Sequence, residues 1–135
     1  MPKNKLWYLG VDPGSAKTGV AWLEDDGTIT KTAVIATEKL AAALPQIFSE
    51  GPAAVIIGNG TNSANVKTML AAAASGTDIV TVEESYSTED ARQLYWQENP
   101  PLGWRKLVPL GLQVPPVNLD GYAAAVLVRR YLKQK

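Results

Sequence analysis

The sequence predicts an α/β fold built on a mixed five-stranded sheet, with the first three strands antiparallel and helices on both faces. Two observations carry this prediction. Three strand-like apolar runs come first, and a tight-turn signal separates the second from the third. Helical and strand-like patterns then alternate, which is typical of parallel strands joined by helices. With 135 residues, the chain (1–135) is expected to form a single domain.

The first three strands are predicted over residues 6–11, 18–23 and 28–35, where apolar side chains predominate. Residues 25–27 (DDG) lie between the second and the third and are a strong signal for a tight hairpin turn. These two strands should therefore pair antiparallel, and the three should form a meander.

Helices and strands alternate after residue 37. Apolar residues at helical spacing predict a helix over residues 38–49, in which Pro45 should cause a kink or an early end. Residues 53–58 are apolar throughout, as in a central strand that is covered on both faces. Further helices are predicted over residues 64–74, 87–98 and 119–133, and a short strand over 78–82.

Composition restricts the chemistry of the chain. It contains no cysteine, which excludes disulfides and thiolate metal sites, and no histidine, which makes a zinc site or imidazole catalysis very unlikely. Any metal chemistry must therefore use oxygen ligands, which favours Mg²⁺ or Mn²⁺. No signal peptide or bilayer-spanning apolar run is evident, so we expect a cytoplasmic protein without a membrane partner.

Charge is distributed unevenly along the chain, although the formal net charge is zero. Residues 1–90 carry 6 Lys and Arg against 11 Asp and Glu, whereas residues 91–135 carry 7 against 2. A basic end of this kind can form a local phosphate-binding face, or it can be a solvated helix end.

Acidic residues occur at three comparable places in the predicted fold. Asp12 ends the first strand, Glu83 and Glu84 follow the last strand, and Asp120 begins the last helix. Each has a simple explanation alone, as a turn residue, a solvated strand end or a helix cap. If the two strand ends meet below the start of the last helix, three carboxylates converge, and they repel one another unless a cation neutralises them. The joint placement therefore predicts one or two divalent ions, Mg²⁺ or Mn²⁺.

Three segments resemble the RuvC/YqgF branch of the RNase H-like nucleases. Residues 9–14 (LGVDPG) and 18–21 (TGVA) resemble its first motif. Residues 83–91 (EESYSTEDA) resemble its Asp-Glu-Arg-x-Ser/Thr-Thr-x-x-Ala motif, and residues 120–127 (DGYAAAVL) resemble its closing Asp-x-x-x-Ala-hydrophobic helix. The resemblance covers nearly the whole chain, with the motifs in the family's order.

The resemblance implies an RNase H-like fold and metal-dependent endonuclease activity on structured nucleic acid. The substrate is Holliday-junction DNA in one branch of the family and a ribosomal RNA precursor in the other. The catalytic, metal-binding acids would be Asp12, Glu84 and Asp120, with Glu84 preferred to Glu83. Chain length and the Ser/Thr-Thr motif favour the YqgF branch, and a homodimer is common among junction resolvases.

Candidate contacts to nucleic acid lie outside these acids. Lys17 follows the first motif, at a place where family members often carry Lys-Arg. Trp104, Arg105 and Lys106 lie in a long segment, 99–118, that contains five prolines. A ring beside two cations suits single-stranded or branched nucleic acid, although Trp104 can instead pack the loop onto the core between two solvated charges.

Two other classes of function remain open. Some cations usual in the family are missing, since Ser85 stands where an arginine follows the catalytic Glu and Ala16 precedes Lys17. A non-catalytic nucleic-acid-binding or scaffold domain of the same fold would tolerate these changes. Nucleotide handling like that of the actin-like ATPases shares the strand-Asp-x-Gly start, but those enzymes clamp nucleotide between two such domains. Arg129 and Arg130 are expected to be surface positions on the last helix.

Overall fold

A computed structural model describes residues 6–60, 62–73, 76–83, 87–99 and 120–134. These residues form five strands and four helices. In chain order they are β1 (Trp7–Asp12), β2 (Lys17–Glu24), β3 (Ile29–Ala36), α1 (Thr37–Ser49), β4 (Ala54–Gly58), α2 (Ser63–Ala73), β5 (Asp78–Val82), α3 (Ser87–Glu98) and α4 (Asp120–Gln134).

The strands form one mixed sheet in the order β3-β2-β1-β4-β5. β1 pairs antiparallel with β2, and β2 pairs antiparallel with β3. β4 pairs parallel with both β1 and β5. The predicted mixed five-stranded sheet and its antiparallel first three strands are thus confirmed. β1 is the central strand, so the residue that ends it lies in the middle of one rim of the sheet.

The hairpin between β2 and β3 forms at the predicted turn. Gly27 donates its amide to the carbonyl oxygen of Glu24 at 2.9 Å, and the amide of Thr28 donates to Oδ1 of Asp26 at 2.9 Å. Gly27 has a φ of 93°, a conformation that a side chain disfavours. A turn of this shape brings the two strands back antiparallel, as the DDG segment predicts.

Helices cover both faces of the sheet and divide the core in two. Alternate residues of β1, such as Leu9 and Val11, pack against α1 and α2. The other residues of the strand, such as Tyr8, belong to the cluster that α3 and α4 complete. The predicted helices on both faces are therefore confirmed.

Pro45 does not end α1 early, since the helix continues to Ser49. A proline inside a helix removes one amide donor and leaves the carbonyl four residues earlier without its partner. That carbonyl belongs to Ala41, which is exposed like Pro45, so water can solvate it. Leu40 and Leu44 are buried on the opposite side of the helix and hold it against the sheet.

α4 is deeply buried along its middle. All six residues from Ala123 to Val128 are buried, because the sheet covers one side of the helix and α3 packs beside it. Gly10 of β1 allows this close approach. A Cβ atom on Gly10 would lie 2.7 Å from Cγ2 of Val128 and would also overlap the carbonyl oxygen of Ala124.

Two further expectations concern the proline-rich segment and a membrane span. The segment 99–118 lies outside them from residue 100 onwards, so its predicted role stays a prediction. No helix in the described ranges is long and apolar enough to cross a membrane.

Replacing Gly10 with alanine is expected to destabilise the fold, because the new methyl group overlaps the backbone of α4 and the helix must move. Overpacking of a core costs about 1–3 kcal/mol of unfolding free energy. Denaturant unfolding measures the loss. Ala53→Val is the control, since it adds volume at an exposed position and should change stability by less than about 0.5 kcal/mol. An unchanged midpoint for Gly10→Ala would contradict the described packing of α4.

Candidate functional site

Asp12 ends the central strand and lies on the face of the sheet that α4 covers. Side chains alternate along a strand, so Tyr8, Gly10 and Asp12 share one face. Tyr8 contacts Tyr131 of α4 at 5.8 Å between ring centroids, and Gly10 lies directly under Ala124. Asp12 is half-buried and extends this row to the rim of the sheet.

Asp120 lies at the same rim of the sheet as Asp12, because it is the first residue of α4 and sits directly above Gly19. A Cβ atom on Gly19 would lie 3.0 Å from Cβ of Asp120 and would overlap its carbonyl group. Gly19 of β2 is the register partner of Asp12. Directly opposed Cβ positions are about 4.5–5.5 Å apart, so the Cβ atoms of the two aspartates are separated by less than roughly 9 Å. Two side chains of this length can reach one shared cation.

The turn that follows Asp12 is held by side chains from two other elements. The hydroxyl of Thr37 donates to the carbonyl oxygen of Gly14 at 2.7 Å, and Nδ2 of Asn62 donates to the same oxygen at 3.0 Å. Because the Thr37 proton is directed at Gly14, the hydroxyl of Thr18 must donate to Thr37, across 2.8 Å. Thr18 and Thr37 are buried. This network fixes the turn and with it the direction of Asp12.

The end of β5 lies at the same rim as Asp12, because β1, β4 and β5 are parallel. β5 is the outer strand of the sheet, so β4 separates its end from that of β1, by about 10 Å from strand to strand. Glu83 follows β5 directly and is exposed. Glu84 lies outside the described residues, as do Trp104, Arg105 and Lys106.

Lys17 is the cation that the described structure brings to this site. It begins β2, two residues before Gly19, and therefore lies on the same face of the sheet as Gly19. Its side chain is exposed, and its register partner is Ala36 at the end of β3. The Lys17 side chain therefore lies in solvent on the face of the sheet that carries Asp12.

The donor set fits a hard divalent cation. Asp12 and Asp120 offer carboxylate oxygens, which Mg²⁺ and Mn²⁺ prefer, and both side chains are half-buried on one face. Within the described ranges, no three Asp, Glu, His or Cys side chains gather closely enough to hold a metal ion. The described part of the site is therefore a pair of acids, and the predicted third acid, Glu84, is outside it.

Sequence reasoning did not identify the residues that bring the two aspartates together. Gly19 was included in the TGVA motif without a role, yet its missing side chain leaves the space that Asp120 fills. Asn62 comes just before α2, and its amide also holds Gly14. The antiparallel pairing of the first two strands is predicted from the sequence. Its register would have shown that Gly19 lies opposite Asp12 and leaves space beside it.

Among the solved structures that are similar to this chain, two superpose along nearly its whole length. The structure of Thermus thermophilus RuvC is 14% identical and superposes with a TM-score of 0.59, covering 96% of each chain. T. thermophilus RuvC in complex with Holliday junction substrate is 17% identical, with a TM-score of 0.52 and the same coverage. No protein-family model and no curated protein matches the chain. At these identities the likeness establishes the fold alone, and it confirms the predicted RNase H-like architecture.

Thr37→Val is expected to destabilise the protein and loosen the turn after Asp12. The substitution removes one donor from Gly14 and leaves the buried Thr18 hydroxyl without its acceptor, at a cost of about 1–3 kcal/mol. Thr68→Val is the matched control, because the Thr68 hydroxyl also donates to a backbone carbonyl, that of Ala64, but on an exposed helix face. Equal unfolding midpoints for the two variants would contradict a structural role for the network.

Proposed function

We propose that this protein is a metal-dependent endonuclease that hydrolyses phosphodiester bonds of structured nucleic acid. The observation that carries the proposal is the convergence of Asp12 and Asp120 over Gly19, from two elements far apart in sequence. The fold shared with RuvC supports this class of chemistry, and one of the two RuvC structures contains Holliday junction substrate.

Three acids carry the proposed activity. Asp12 and Asp120 would hold Mg²⁺ or Mn²⁺, and Glu84, two positions after Val82, would complete the set. A bound divalent cation supplies an activated water and stabilises the leaving oxygen in phosphodiester hydrolysis. The turn network at Gly14 keeps Asp12 fixed, so the carboxylate need not be ordered when the substrate binds.

Cations beside the acids hold the substrate. Lys17 contributes a phosphate contact on the rim beside Asp12. Trp104, Arg105 and Lys106 add a stacking ring and two cations from the proline-rich segment. Branched DNA and a ribosomal RNA precursor are the two substrates proposed, with a homodimer as the acting species on a symmetric junction.

The second candidate function is a nucleic-acid-binding or scaffold domain that has lost catalysis. One observation favours it, since Ala16 and Ser85 stand at positions where the family that the sequence resembles carries cations. Binding without cleavage separates this candidate from the nuclease.

Asp12→Asn is expected to abolish cleavage and leave the fold intact, because asparagine keeps the size of the side chain but removes the charge that holds the cation. The assay uses labelled four-way DNA junctions and a ribosomal RNA precursor, side by side, with Mg²⁺ or Mn²⁺. Asp120→Asn should give the same loss. Circular dichroism and thermal unfolding verify that each variant is folded.

The matched control for these variants is Asp78→Asn, an exposed aspartate at the opposite end of β5. It should cleave at the unsubstituted rate. Full activity of Asp12→Asn would refute the proposed site, whereas tight binding without cleavage by the unsubstituted protein would favour the scaffold function.

Lys17→Gln is expected to weaken nucleic-acid binding with little dependence on sequence. Loss of one phosphate contact should lower the slope of log affinity against log salt by about 1. Fluorescence anisotropy over a salt series, without divalent cation, measures this slope. Lys67→Gln removes an exposed lysine from α2, on the other face of the sheet, and should leave the slope unchanged. Equal slopes for the two variants would exclude Lys17 from the interface.

A further inference from the structure

β3 is an outer strand of the sheet, and within the described residues no strand pairs with its outer edge. It is eight residues long and contains one charged residue, Lys31, and no proline. The other outer strand, β5, has five residues and begins at the exposed Asp78. Charges, prolines and short length protect an edge strand against pairing with another chain. β3 is therefore the less protected edge of the sheet.

The hydrogen bonds between β2 and β3 determine which backbone groups of β3 face outward. The amide of Thr37 donates to the carbonyl oxygen of Ala16 at 3.0 Å, and these two residues continue the register of the strand pair. Hydrogen-bonded and non-hydrogen-bonded positions alternate along an antiparallel pair. Thr32, Val34 and Ala36 therefore direct their amide and carbonyl groups away from β2, toward the open edge.

Val34 is the central residue of these three, and its side chain is 37% exposed. It lies opposite Gly19, which lies opposite Asp12, so its side chain is on the face of the sheet that carries the two aspartates. A single exposed valine is ordinary on a protein surface. Here, however, the apolar side chain coincides with the backbone groups that another strand would pair with.

We infer that β3 pairs antiparallel with β3 of a second copy of this chain, with Val34 at the two-fold axis. In this register Val34 lies opposite Val34 of the second copy, and Thr32 lies opposite Ala36 of the second copy. The outward amide and carbonyl groups of all three residues then gain partners. Because both copies use the same surface, the interface closes at two subunits.

Charge complementarity favours this register. Lys31 comes opposite Thr37 of the second copy, where α1 begins, and Glu38 in the first turn of that helix is exposed. Opposite charges are thus brought close together, and the two-fold axis repeats the arrangement at the other end of the shared strands. Pairing centred on Lys31 would instead place two lysines directly opposite each other, which is destabilising.

The pairing would place both candidate sites on one face of a continuous sheet. Asp12, Gly19 and Val34 form a row across three strands, and the second copy continues this row in reverse order. Five strand spacings separate the two copies of Asp12, which are therefore about 24 Å apart. The inference deepens the proposed function by naming the surface of the homodimer. It rests on that function only for the use of the paired sites.

The first test introduces a charge at the two-fold axis. Val34→Lys would bring two ammonium groups together, so it is expected to weaken dimerisation by about 100-fold or more. Sedimentation velocity over a concentration series should show a dimer for the unsubstituted protein and a monomer for this variant. Thr81→Lys is the matched control, because it adds the same charge at an exposed position of the other outer strand, and it should stay dimeric. Circular dichroism verifies that both variants are folded.

The second test examines the register with a single cysteine. The chain contains no cysteine, so Val34→Cys can form a disulfide only with its own copy. Directly opposed, hydrogen-bonded residues have Cα atoms about 5.5 Å apart, a distance that suits a disulfide. Mild oxidation should therefore give a covalent dimer. Thr30→Cys is the control, since the two copies of Thr30 would be separated by eight positions, about 27 Å, and should not crosslink.

Each contrary result has a distinct meaning. An unsubstituted protein that stays monomeric at every concentration, alone and with nucleic acid, overturns the inference, and cleavage by that monomer leaves the proposed function standing. A dimer that survives Val34→Lys also overturns it, because another surface then forms the interface, and so does Val34→Cys that crosslinks no faster than Thr30→Cys. A dimer that passes both tests but cleaves neither substrate overturns the proposed function and leaves this interface standing.

Discussion

The close contact between α4 and the backbone of the sheet determines the candidate site. Gly10 and Gly19 lack side chains where the helix crosses, and a Cβ atom at either position would overlap α4. Because the helix lies this low, its first residue, Asp120, comes down beside the end of the central strand. Any larger residue at Gly19 would lift Asp120 away from Asp12. The packing of α4 on the sheet therefore sets the distance between Asp12 and Asp120.

The fold was predictable because its signals are local and redundant. The DDG turn, the alternating helices and strands, and the wholly apolar β4 each agree with the same mixed sheet. The strand bounds differ from those predicted by at most one residue at either end, as is usual for element ends. The continuation of α1 through Pro45 was not predictable. It depends on whether the carbonyl group of Ala41 faces solvent, and this exposure is a property of the tertiary structure.

The candidate site was predictable only in part. Motif resemblance and position at strand ends identified Asp12 and Asp120, but not what brings them together. Their convergence depends on the register between β1 and β2 and on the depth of α4, which are properties of packing. Arg130 illustrates the same limit, since a cation on the last helix looks solvated until the fold brings it to the end of β5. Long-range hydrogen bonds of this kind leave no trace in local sequence patterns.

The proposed divalent cation binds where Asp12 and Asp120 converge. Paramagnetic broadening of backbone amide signals, in a titration of ¹⁵N-labelled protein with Mn²⁺, locates such a site directly. We expect the signals of Asp12, Gly19 and Asp120 to broaden first, and we expect Asp12→Asn to remove the effect. Broadening centred instead on the acidic hairpin at residues 25–27, at the opposite end of β2, would contradict it.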